Sequence, residues 1–117
     1  MSETKFRRAT DAEIAALKEE HGPLIYGIDV GVKIKALGPD AQVIFRHMNR
    51  MDRAYLKQLT ERADANADEM IAQRLVIYPD VGTYNQMADI AYGIHSTVGS
   101  QAMVLYGYVE HEAAKKL

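Results

Sequence analysis

Hydrolytic or metal chemistry in this chain would have to be built from four histidines, His21, His47, His95 and His111, and from Ser2, Ser96 and Ser100, because there is no cysteine. His95 and Ser96 are adjacent, but neighbours i and i+1 on a helix do not face each other. No Gly-x-Ser-x-Gly elbow sharpens a serine into a nucleophile. No histidine pair has the H-x-x-x-H or H-E-x-x-H spacing that puts two ligands on one helical face. Gly27-Ile28-Asp29-Val30-Gly31 lies between β-type runs and lacks a third glycine, and no Gly-Lys-Ser/Thr follows. Glu19-Glu20 and Asp64/Asp68 stand in polar stretches where solvation accounts for them. No catalytic, cofactor-binding or metal-binding residue is singled out, and the expectation is a protein that binds and does not catalyse.

Binding chemistry is better represented. Arg50, Arg53 and Lys57 recur at i, i+3 and i+7 along one side of a helical segment, with Arg46 and His47 just before it. Such a row suits an acidic partner helix or phosphates. Pairing with Asp52, Glu61 or the sheet, or simple solvation, would also explain it. The net charge of -2 and the lack of interleaved aromatics disfavour nucleic acid. Tyrosine is the second skew, with Tyr78, Tyr84, Tyr92, Tyr106 and Tyr108 in the C-terminal part. A tyrosine joins apolar area to a polar tip, which serves an interface or a core rim equally. Met48, Met51, Met70, Met87 and Met103 add adaptable apolar surface. Gly93, Gly99 and Gly107 either allow close helix packing or mark a yielding segment.

These residues must be held by the elements around them. Residues 1–9 read as a frayed, polar start. Thr10-Asp11-Ala12-Glu13 is a capping box opening a helix over 11–20, which His21-Gly22-Pro23 ends. Leu24–Val30, the alternating Val32-Lys33-Ile34-Lys35 and Gln42–Arg46 are strand candidates separated by Gly38-Pro39-Asp40. Asn49 caps a helix with the stripe Met51, Tyr55 and Leu59, and a polar break at 64–68 follows. The pattern from Glu69 to Tyr78 is helical and stops at Pro79. Asp80 to Thr83 reads as a turn and cap. One or two helices then run from Tyr84 to Lys115-Lys116, with Gly99-Ser100 as the candidate break. The fold class is α+β: an N-terminal helix, an antiparallel sheet of two or three strands, then a C-terminal helical bundle. The 117 residues form a single domain over 10–117, with helix and sheet in 10–48 and the helical part in 49–117. No stretch has the length and apolarity of a secretory signal or a membrane span.

Three segments carry a resemblance to the tail assembly chaperone-like proteins of bacteriophages and related small phage proteins. They are the helix end Lys18-Glu19-Glu20-His21-Gly22, the passage Val43 to Tyr55, and Leu75-Val76-Ile77-Tyr78-Pro79-Asp80. The passage looks like the family's Phe-Arg-x-Pro-x-Arg signature followed by an aromatic, here Phe45, Arg46, Arg50 and Tyr55. It departs from the pattern at Met48-Asn49, where relatives carry Pro-Thr, so this helix start should depend on Asn49. The resemblance spans about 11–108. It implies a non-enzymatic protein of the infected bacterium's cytoplasm that binds a tail component such as the tape-measure protein and needs no cofactor. Under that reading the protein-binding candidates are Arg46, Arg50, Arg53, Tyr55, Tyr78, Tyr84, Tyr92, Tyr106 and Tyr108. Virion association, a structural tail or connector role, a regulator or counter-defence protein bound to a host complex, and homo-oligomers are the competing expectations.

Overall fold

The computed structural model describes residues 6–62, 66–106 and 115–116. Helix α1 covers Asp11–His21, and the capping box forms as the spacing predicts. The Thr10 side chain accepts from Glu13 N at 3.1 Å and Glu13 Oε1 accepts from Thr10 N at 2.8 Å. Gly22, at φ 92°, ends the helix where only glycine is unstrained. The alanine-rich sequence gives α1 only a weak apolar face, and none of its residues is fully buried.

Strands β1 (Ile25–Ile28) and β2 (Val43–Arg46) pair antiparallel, with Tyr26 opposite Phe45 and Gly27 opposite Ile44. Both strands are buried on both faces: Tyr26 and Phe45 point one way, and Ile25 and Ile44 the other. The stretch between them differs from the expected strand. Val30–Lys33 is a short helix, α2, followed by a tight turn at Lys35–Leu37. The alternation at 32–35 was misleading because the buried or half-buried residues are Val30, Ile34 and Leu37, at i, i+4 and i+7, while Val32 is 69% exposed. Gly31 makes this turn possible. A Cβ there would stand 1.9 Å from the Gly38 carbonyl oxygen, and Gly31 N donates to Ala41 O at 3.2 Å.

Helix α3 (Arg50–Glu61) and α4 (Ala67–Leu75) follow. The helix expected to reach Tyr78 stops at Leu75, and Val76–Tyr78 forms β3, antiparallel to β2. Three β-formers in a row, before a proline that disfavours helical geometry at Tyr78, find a vacant sheet edge. Helix α5 (Val81–Ile90) starts earlier than the expected Tyr84 because Asp80, not Thr83, is its cap. Helix α6 (Ile94–Tyr106) is separate, so 84–116 is not one helix. The break falls at Ala91–Gly93 and not at Gly99-Ser100. Gly99 lies within α6 where it packs on α4, and a Cβ on it would meet Ile71 Cγ2 at 3.4 Å, an ordinary van der Waals contact. Lys115–Lys116, expected to close a helix, form a two-residue β4 beside β1, giving the sheet order β3-β2-β1-β4.

One core fills the space between the sheet and α4, α5 and α6, centred on Phe45, Ile71, Leu75, Tyr84, Met87, Ile94 and Val98. Each such side chain contributes roughly 1.5–3 kcal/mol on burial. The expectation of a frayed start does not hold for residues 6–9. Phe6 is in this core, Ala9 N donates to Gln42 Oε1 at 2.9 Å, and Tyr78 Oη donates to Arg7 O at 2.8 Å. Residues 1–5 lie outside the described residues. Nor is the second half purely helical, since β3 and β4 come from it. The α+β class stands.

Candidate functional site

The resembling passage from Val43 to Tyr55 folds as one unit: strand β2, a three-residue link at 47–49, and the start of α3. Met48 is buried, and Asn49 caps α3 as expected from the sequence. The Asn49 side chain accepts from Asp52 N at 2.9 Å, and Asp52 Oδ2 accepts from Asn49 N at 2.9 Å.

Asp52 does more than complete the cap. It is fully buried and receives a forked pair from Arg46, Nη1 to Oδ2 at 2.5 Å and Nη2 to Oδ1 at 2.9 Å. Arg74, from α4, donates Nε to Oδ1 at 2.6 Å. Burial alone would raise the carboxyl's pKa. The Arg46 hydrogen bonds, the Asn49 amide and Arg74 outweigh it and hold the group well below the usual carboxylate range. The hydrogen bond to Asp52 in turn raises the Arg46 pKa. Arg74 also stacks on the ring of the half-buried Tyr55, 4.7 Å from its centroid. This cluster clamps β2, α3 and α4 together.

The arginine row is therefore divided. Arg46 is committed to the clamp, one of the pairings its sequence neighbourhood allowed. Arg50, Arg53 and Lys57 stand on the exposed side of α3, with Met51 beside them at 72% exposure. Next to this ridge, Leu56, Ile71, Gly99 and Met103 line a groove between α3, α4 and α6 of about 290 Å³, with Asp68 and Ser96 at its rim. Ser96 Oγ donates to Asp68 Oδ2 there at 2.8 Å.

The tyrosines separate as clearly. Tyr84 is fully buried, so it is core and not the interface residue expected. Its hydroxyl lies 2.9 Å from His95 Nδ1, and burial raises the phenol pKa and lowers the imidazole pKa. Tyr78 is half-buried and tied to Arg7 O. Tyr92 is exposed, with its hydroxyl donating to Glu69 Oε1 at 3.1 Å and its ring packed edge-on against His95. Tyr106 ends α6, and Tyr108 lies outside the described residues. Of the candidates, the fold brings Arg50, Arg53 and Tyr55 together on α3 and leaves Tyr78, Tyr84 and Tyr92 in other places. Sequence reasoning missed Arg74, which has no local signal, and the depth of Asp52, whose Asn-x-x-Asp spacing announces a cap and nothing more. Among the described residues, no group of three acidic or histidine side chains is placed to hold a metal ion, and no helix is long and apolar enough to cross a membrane.

The fold is a small α+β domain in which helices pack on an antiparallel sheet. No protein-family model matches the sequence. No curated protein matches it either. Among solved structures it is similar to the uncharacterised protein rbstp2171 of Bacillus stearothermophilus. The two are 16% identical with a TM-score of 0.67, over 87% of this chain and 99% of that one. At that identity the likeness concerns the fold.

Proposed function

We propose that this chain is a non-enzymatic binding protein of the phage tail assembly chaperone type, which holds a helical tail component such as the tape-measure protein in the infected cell. One observation supports it above the others. The segment that carries the resemblance builds α3 on a buried clamp and turns Arg50 and Arg53 outward on the helix whose Leu56 lines the α3–α4–α6 groove. A helix recognised there would lay apolar side chains against Leu56 and Met103 and set its register by acidic residues against the ridge. Transient binding during assembly suits a small groove and an exposed cationic edge, because such contacts add rate and specificity more than affinity.

Co-expression with helical tail proteins, followed by affinity capture of this chain, tests the reading. Recovery of a tail protein by the wild type and its loss with R50E/R53E is the expected result. Recovery of the chain alone in every pairing would overturn it. Mass spectrometry of finished particles separates a transient chaperone, absent or far below one copy per tail, from a structural component.

A further inference from the structure

Helix α1 and helix α3 are complementary in a way that folding of a single chain does not use. The exposed side of α1 carries Asp11, Glu19 and Glu20 around a flat patch of Ala12, Ala15 and Ala16. That of α3 carries Arg50, Arg53 and Lys57 around Ala54, with Met51 alongside. Among the described residues, Arg50 and Lys57 enter no ion pair. Three of these charges also stand at the wrong ends of their own helices. Glu19 and Glu20 lie in the last turn of α1, next to its negative pole, and Arg50 opens α3 at its positive pole. Each placement is locally unfavourable.

We propose that the acidic side of α1 docks on the basic side of α3 of a second copy of this chain, with the two helices antiparallel. The spans agree: Asp11 to Glu19 is roughly 12 Å along the axis and Arg50 to Lys57 roughly 10 Å, at ~1.5 Å per residue. Antiparallel docking sets Glu19 and Glu20 against Arg50 and Arg53, and Asp11 against Lys57. It brings the negative pole of one helix to the positive pole of the other, so charges misplaced within the monomer become well placed in the pair. The alanines let the axes approach closely, at ~8–10 Å, and Met51 covers the alanine patch. The contact needs no tail partner, but it uses the same exposed ridge of Arg50, Met51 and Arg53, so self-association and capture of a tail protein would compete for that surface.

Sedimentation of the full chain tests it with two charge-reversed variants, E19K/E20K and R50E/K57E, whose helicity is checked by circular dichroism. The substituted side chains are exposed, so both variants should fold. The wild type should associate at low salt and lose the association near ~0.5 M salt, where the screening length shrinks to a few ångströms. Each variant alone should be monomeric, its apparent dissociation constant weakened at least ~30-fold, equal to about 2 kcal/mol. An equimolar mixture of the two should associate again, because the first presents a basic α1 to the acidic α3 of the second. A wild type that remains monomeric up to about 1 mM, variants that associate as strongly as the wild type, or a mixture that does not recover would each overturn the proposal.

Discussion

Replacing Asp52 by alanine removes three things at once: the acceptor of the Arg46 fork, the acceptor of Arg74 Nε and the reciprocal half of the Asn49 cap. Deleting one partner of a buried ion pair costs about 3–5 kcal/mol, because the other charge is stranded. The stranded guanidiniums are not sealed off here, since the Arg46 and Arg74 side chains are 21% and 38% exposed and can take up water. That relief lowers the figure, while weakening the cap adds roughly 1 kcal/mol. The expected loss is about 3 kcal/mol, a large share of the 5–15 kcal/mol by which such domains are stable. Urea unfolding followed by far-ultraviolet circular dichroism reads it as a midpoint lower by ~1.5–2 M, for a slope near 1.5–2 kcal/mol/M. Asp52→Asn keeps an acceptor and much of the cap, so its loss should be smaller. A loss under about 0.5 kcal/mol for Asp52→Ala at an unchanged slope, the range of an ordinary surface substitution, would refute the view that this cluster clamps β2, α3 and α4.

Acid should act through the same carboxylate. Its folded pKa is depressed, so its contribution is complete above the unfolded value, about 3.9, and is lost as pH falls toward the folded one. Stability measured from pH 5 downward should fall in the wild type and fall less in Asp52→Asn. His95 has the opposite charge type and a lowered folded pKa. The unfolded chain binds its proton first, so stability should rise with pH up to about 6.5, and urea midpoints should show that slope reduced in His95→Gln. Tyr84→Phe leaves His95 Nδ1 without its buried partner and should cost about 1–2 kcal/mol in thermal or urea unfolding. Gly31→Ala must push back the Gly38 carbonyl and should cost about 1–3 kcal/mol, whereas Gly93→Ala, with nothing within 4 Å of the new methyl, should stay within ~0.5 kcal/mol.

Local signals were legible in the sequence and non-local ones were not. The Thr10–Glu13 box, the Gly22 stop, the Asn49 cap and the strands at 25–28 and 43–46 rest on neighbouring residues, and each formed. Val32-Lys33-Ile34-Lys35 misled because alternation over four residues also fits a helical turn whose true anchors, Val30 and Leu37, lie outside the window. Val76–Tyr78 became a strand because β2 offered an edge, which nothing in the segment itself declares. In the site, the exposed run of Arg50 and Arg53 followed from helical spacing. Arg46 is committed through its fork to Asp52, a pairing its sequence neighbourhood allowed, whereas the closing of that cluster by Arg74 of α4 is distant in sequence and no spacing rule declares it.

Helix α1 has a consequence for how the molecule opens. Its leading end is tethered by Ala9–Gln42, Arg7–Tyr78 and the Arg8–Asp29 ion pair, and its far end runs into β1 through Gly22 and Pro23. Between these tethers it has no fully buried side chain. It can therefore melt in place, as a small cooperative unit, while the sheet and the core under α4, α5 and α6 stay intact. Its amides should exchange with solvent well before those of β2 or α4, making residues 11–21 the first helix among the described residues to be labelled and to be cut by a protease.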